Sequence, residues 1–329
     1  MRHLILSIVI ILFFSCSKGD DSPTTSSQSP APTSDAGISG NTGSTGGVGS
    51  ESGSSSTPAE NDNPSEQQNS ETLVVFNSNL HSSLPAEWVE QYNIILDTLE
   101  KRIPSFANYY SAMDVYSWKS SANLPFRSAI GDASGACICG NDQVRYMILE
   151  IPDDEFTYGS MHRYSVIAHE FFHAYQMSIS QNFYSSDFRV KWLNEGPAAV
   201  FESLYIQEHY QYNYFQNDQN RVDQEATSNP ALFENYDSIG DSNYSSSVFM
   251  TLALVKELMK LNHSEATAIR MVLKDFQALN PSASNWKEVF ENLFSISVPA
   301  FYQSLSDYTA EISMVLPSEI LRLQDVFEN

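Results

Sequence analysis

From residue 17 to residue 72 the chain carries only two large apolar side chains, Ile38 and Val48, among Ser, Gly, Thr, Pro, Asn and Asp. Such a stretch cannot bury enough apolar surface to offset the entropy lost on ordering. Any packed fold is therefore confined to residues 73–329, a length that suits one large domain or two closely packed lobes. The segment before it, 16–72 with Cys16 included, is expected to be a disordered Ser/Gly/Pro-rich tether.

Ahead of the tether, residues 1–15 read as a signal peptide. A basic start at Arg2 leads into an apolar run over 4–14, interrupted once by Ser7, and Ser15 closes it. The run is too short to remain as a membrane-spanning helix. Cys16 follows at once. A small residue and then a cysteine at the end of such a run resembles the bacterial lipoprotein processing site, where the cysteine becomes the lipidated N-terminus. Asp20 and Asp21, just beyond it, resemble the surface-export signal of some Bacteroidetes lipoproteins. These resemblances imply an outer-membrane lipoprotein of the bacterial cell envelope, exposed at the surface. Contact with the membrane would be made only through the lipid on Cys16.

Net charge excludes some partners. The chain holds 17 Lys+Arg and 40 Asp+Glu, a formal charge of −23. Setting aside Arg2 and the tether's eight acids and one lysine leaves −17 for residues 73–329. Phosphate backbones and anionic headgroups are repelled by such an excess, so no nucleic-acid partner is expected. Three cysteines cannot staple a chain of this length, and the fold must rest on packing.

Periodicity places a short strand at 73–76 and an amphipathic helix over 85–103, with Trp88, Tyr92, Ile95 and Leu99 on one stripe. Residues 106–118 read as extended, and 143–151 as the clearest strand, stopped by Pro152. Helical patterns follow at 162–180, 194–212, 245–262, 264–279, 285–294 and 298–312. Strands first and helices later predict an α+β fold.

The chemistry lies where the helices begin. His169-Glu170-Phe171-Phe172-His173 has the form H-E-x-x-H, within a helical and largely apolar segment. Residues four apart share a helix face, so both imidazoles can reach one ion at about 2.0–2.1 Å. Glu170 then stands beside the ion's open position. Zinc held this way makes water acidic enough for a neighbouring carboxylate to deprotonate.

A catalytic zinc needs a third protein ligand. Gln176 and Ile179 stand where a metzincin requires Gly and His, which excludes that class. Further on, Glu195 lies within Lys191-Trp192-Leu193-Asn194-Glu195-Gly196-Pro197-Ala198-Ala199. Together with H-E-x-x-H this resembles the gluzincin zinc peptidases, notably the aminopeptidase N-like branch, in which Trp-Leu-Asn-Glu-Gly supplies a carboxylate ligand. The resemblance implies a zincin-like α+β fold, with a small N-terminal β-containing lobe, a mostly helical lobe after it, and the zinc site between them. It implies Zn2+ on His169, His173 and Glu195, with Glu170 as general base for hydrolysis of a peptide or protein substrate. Locally, Asn194 reads as an N-cap and Pro197 as a first-turn proline, which would put Glu195 in the first turn of a helix.

The Gly-Ala-Met-Glu-Asn segment by which aminopeptidases hold a free amine has no counterpart. The nearest match, Gly135-Ala136-Cys137-Ile138-Cys139-Gly140-Asn141, lacks the carboxylate, so an endopeptidase is favoured over an aminopeptidase. Glu202 reads either as support for a zinc histidine or as a solvated carboxylate. The resemblance also implies a tyrosine downstream as oxyanion donor; Tyr244 fits best and Tyr236 next. His162, His209 and His263 are weaker candidates. Cys137 and Cys139 read as buried free thiols, being too close in sequence for an unstrained disulfide in most geometries. Asp153-Asp154-Glu155 lacks a calcium-loop pattern. A substrate strand is expected to add along an edge strand at 143–151. The rival reading is a catalytically silent zincin-fold surface lipoprotein that binds a glycan or protein.

Overall fold

The computed structural model describes residues 72–141, 144–236, 241 and 244–328. The signal peptide, Cys16 and the tether up to residue 71 lie outside the described residues. The fold is mixed α+β: one four-stranded sheet, then a mostly helical remainder.

Strand β1 (Val75–Leu80) leads into helix α1 (Ala86–Arg102), β2 (Ala112–Lys119), β3 (Ala136–Gly140) and β4 (Arg145–Ile151). The sheet order is β1-β2-β4-β3, with β1, β2 and β4 parallel and β3 antiparallel to β4. The first strand was expected at 73–76 but runs through Asn77, Ser78 and Asn79. Its position explains this, because an edge strand open to water tolerates polar residues, and Asn77 donates to Asp114 on β2 at 2.9 Å.

The strand expected over 143–151 is present, but it is not an edge. β4 pairs with β2 on one side and β3 on the other. It buries Met147 and Leu149 in the main core and Ile148 in a smaller cluster with Trp118, Ile130 and Cys139. A strand buried on both faces reads as a continuous apolar run, which is how Met147-Ile148-Leu149 appears. β3 is the open edge beside it.

On β3 the free-thiol expectation also fails: Cys137 and Cys139 form a disulfide. Residues two apart on a strand point to the same face. Here their Cα atoms are 5.5 Å apart, within disulfide reach.

Helix α2 (His162–Ile179) is buried from Tyr164 to Ser178. A helix hydrophobic nearly all round belongs at a domain's centre. α1 packs Trp88, Tyr92, Ile95 and Leu99 into the same core, and the Trp88 indole donates to the Arg163 carbonyl at 2.8 Å. Two helices complete the frame, α3 (Lys191–Tyr210) and α4 (Ser245–Lys260). Gly196 allows α3 and α4 to meet: a Cβ there would lie 2.3 Å from Thr251 Oγ1 and 2.5 Å from the Ser247 carbonyl. Among the described residues, no helix is long and apolar enough to cross a membrane.

α3 begins three residues before the expected Asn194 cap. Val190 is the N-cap, and its carbonyl accepts from Leu193 at 3.1 Å and Asn194 at 3.0 Å. Pro197 thus sits inside the helix, where it cannot donate to the Leu193 carbonyl. Gln277 supplies the missing donor, its Nε2 reaching that carbonyl at 3.2 Å. The residue comes from the far end of the last long helical stretch, just after a π-helical turn at Met271–Asp275.

Candidate metal centre

α2 presents His169 and His173 one turn apart, and α3 crosses it with Glu195 facing them. The three ligand atoms converge. His173 Nε2 lies 3.1 Å from His169 Nε2 and 3.1 Å from Glu195 Oε2, and His169 Nε2 lies 3.4 Å from the same oxygen. Tetrahedral bonds of about 2.0–2.1 Å place ligand atoms about 3.3 Å apart. The group is buried and can hold a metal ion.

Neighbouring side chains fix which atoms face inward. His173 Nδ1 is 2.7 Å from Gln176 Oε1. The Gln176 amide is oriented by its own donation to the Asn194 carbonyl at 3.4 Å. His169 Nδ1 is 3.4 Å from Glu202 Oε2. An acceptor beside each outer nitrogen favours the tautomer with N–H there and the Nε2 lone pair turned inward, as a metal ligand needs. Three lone-pair atoms then meet with no donor among them, which only positive charge can reconcile. Glu202 is therefore not a solvated carboxylate: it is buried beside His169, and Gln219 Nε2 donates to its other oxygen at 3.2 Å.

The titrations follow this demand for positive charge. Burial alone would lower the His169 imidazole, but Glu202 and Glu195 outweigh it and hold it well above the usual value. In His173, likewise, burial is overcome by the Glu195 carboxylate. For Glu195 burial pushes upward, yet the two imidazoles hold it far below the ordinary carboxyl range. Glu170 goes the other way: burial raises its carboxyl, and Oε2 has no hydrogen-bond partner. Two neighbouring carboxylates pushed apart in this way suit different tasks, ligand and base.

Both candidate tyrosines are at the site, in different roles. Tyr236 donates to Glu195 Oε1 at 2.9 Å and accepts from Asn194 Nδ2 at 3.3 Å. Tyr244 stacks on the His169 ring, with centroids 5.5 Å apart and planes 15° from parallel. Its hydroxyl has no hydrogen-bond partner among the described residues. The Glu195 charge, with burial, holds that phenol well above its usual pKa, so it stays a donor.

Tyr244 stands at the start of α4 as its N-cap, in the left-handed region at φ 56°. An aromatic residue there is strained by roughly 1–2 kcal/mol. Asp241 supplies the caps that Tyr244 does not. Its Oδ1 accepts from the backbone of Ser246 at 2.7 Å and Ser247 at 3.3 Å, and its Oδ2 from Ser247 Oγ at 2.6 Å. Lys191 pairs with it at 3.4 Å, tying the start of α3 to the start of α4.

The remaining candidates lie elsewhere. His162 opens α2 and pairs with Glu155 at 2.7 Å. His209, near the end of α3, is 14 residues beyond Glu195, or about 21 Å along a helix. His263 follows the far end of α4, about 24 Å from Tyr244 across its 16 residues. Asp153 opens a short helix, Asp153–Tyr158, and is held by Lys119, Ser120 and Ser121; it is not part of the group that could hold a metal ion.

Sequence reasoning did not single out Gln219, Asp241 or Gln277. Only the last had a signal, since a proline inside α3 demands a substitute donor. Compared with known proteins, the chain matches no family model, no curated protein and no solved structure.

Proposed function

We propose that this protein is a zinc-dependent peptidase of the gluzincin type with a zincin-like fold, exported and anchored to the bacterial outer membrane through a lipid on Cys16. The observation that carries this reading is the convergence of His169 Nε2, His173 Nε2 and Glu195 Oε2, beside a buried carboxylate with a free oxygen. Two neutral imidazoles and one carboxylate suit zinc and leave a position open. Zinc there supplies Lewis acidity and lowers the pKa of water.

The chain's own residues do the rest. Glu170 takes a proton from the attacking water, aided by a raised pKa that strengthens it as a base, and passes it to the departing amine. Tyr244 donates its hydroxyl to the carbonyl oxygen as negative charge develops there. Glu202, Gln176 and Tyr236 hold the three ligands in their orientations. The open edge of β3 offers main-chain partners for an extended substrate. The Cys137–Cys139 disulfide on that strand suits an oxidising compartment outside the cytoplasm.

The test is hydrolysis of a denatured-protein mixture by the wild type and by Glu170→Gln, both loaded with zinc. Cleavage that falls by about 10²–10⁴ in the variant fits a general base. Equal cleavage, or none by either, overturns the reading and favours a binding lipoprotein.

A further inference from the structure

Most of the lysines and arginines in this fold are held by acids or main-chain carbonyls, among them Lys191 on Asp241, Lys287 on Glu234 and Arg163 on the Ser160 carbonyl. Arg189 is not; among the described residues it has no carboxylate or carbonyl partner. Arg221 and Lys274 likewise have no such partner among the described residues, but of the three only Arg189 lies over a ring that is bonded to a candidate metal ligand.

Its position is set by the segment entering α3. Phe188 and Val190 are buried on either side of the exposed Arg189. The Arg189 guanidinium lies over the Tyr236 ring, 5.4 Å from its centroid. The hydroxyl of that same ring holds Glu195. Arg189 therefore places a flat, permanent cation one side chain away from the candidate metal ligands. The guanidinium is exposed and has no hydrogen-bond partner among the described residues, so its N–H groups are available to grip a carboxylate through two parallel hydrogen bonds.

We infer that Arg189 is a specificity-determining residue that binds a carboxylate of the substrate close to the scissile bond. The inference rests on the peptidase reading above and names the substrate chemistry it selects. The acidic surroundings repel carboxylates at long range, so one local unpaired cation decides where a carboxylate can settle. An extended chain advances about 3.3–3.4 Å per residue, so a cation one tyrosine away from Glu195 reaches a group roughly three residues from the cleaved bond. Two sources share this chemistry: an Asp or Glu side chain, or the free C-terminal carboxylate.

Three end-matched peptide sets separate them. One carries Glu near the cleaved bond with both ends blocked, one carries Gln there with both ends blocked, and one carries Gln with a free C-terminus. The zinc-loaded full chain is expected to prefer one carboxylate set over the neutral set by about tenfold in kcat/KM. Preference for blocked Glu peptides identifies the side chain, and preference for free-terminus peptides identifies the chain end. In Arg189→Gln that ratio should fall towards one, and in Arg189→Glu it should fall below one, with zinc content unchanged in both. Cleavage with no carboxylate preference, or a preference that survives in both variants, overturns the inference and leaves the peptidase reading intact. No cleavage of any set by the wild type overturns both.

Discussion

Tyr236 donates to Oε1 of Glu195 at 2.9 Å, which leaves Oε2 alone to face His169 and His173. A carboxylate held at one oxygen is fixed as a single-point ligand. Tyr236→Phe removes the hold without changing the ring. Zinc affinity should fall by about 10–100-fold, as for loss of other outer partners of metal ligands. A competition titration against a chelating dye reads this directly; unchanged affinity would mean that Glu195 is positioned by α3 alone.

Tyr244 carries the oxyanion prediction. Tyr244→Phe should keep zinc and fold while lowering kcat by roughly 10²–10³. Asp241→Asn loosens the cap that holds Tyr244 in its left-handed conformation, and should lower kcat in the wild-type background. In the Tyr244→Phe background it should lower kcat little further, because the two changes remove the same function. Independent, additive losses would show that Asp241 does not act through Tyr244.

Gly196 sets the distance between the ligand helix and α4. Gly196→Ala drives a methyl group into Thr251 and the Ser247 carbonyl. Overpacking of this kind costs about 1–3 kcal/mol, which is a fall of several degrees in Tm for a domain of this size. Adding Thr251→Ala should restore only part of the loss, since the backbone carbonyl remains. Thermal unfolding equal to wild type would contradict the close approach of α3 and α4.

His162 gives a pH dependence with a definite sign. Burial lowers its imidazole, but the hydrogen bond and charge of Glu155 outweigh this, so the folded value lies above the unfolded one near 6.5. The pair's stabilisation is therefore complete below about pH 6.5 and is lost as pH rises through the folded value. The stability gap between wild type and His162→Gln should be widest at about pH 6 and narrow at higher pH. A gap that does not change with pH would show that the pair carries no linked proton.

The candidate site was legible because its chemistry is local. His169, Glu170 and His173 share one helical turn, and Trp192-Leu193-Asn194-Glu195-Gly196 is a contiguous segment. The structure brings both to one point, with Tyr244 over His169. The longer helices were legible too, since their 3.6-residue periodicity runs over whole helices. The pattern read over 298–312, however, ends as a helix at Ser304 and continues only as a 3-10 turn at Leu305–Asp307. What failed depended on distant partners. Whether β4 is an edge depends on β3, whose short Ala136–Gly140 sequence has no alternation to reveal it. The start of α3 was misplaced because Pro197 reads as a first-turn residue until Gln277, 84 residues from Leu193, satisfies the carbonyl it leaves open. The cysteine pair was misread because its feasibility turns on how closely one strand draws its Cα atoms together.

The metal content of the purified full chain tests the central claim most directly. Elemental analysis should find close to one zinc per wild-type chain and almost none in His173→Ala or Glu195→Ala, since each removes one of three protein ligands. A wild-type protein that holds no zinc after equilibration with it, or variants that hold as much as the wild type, would contradict the three-ligand centre.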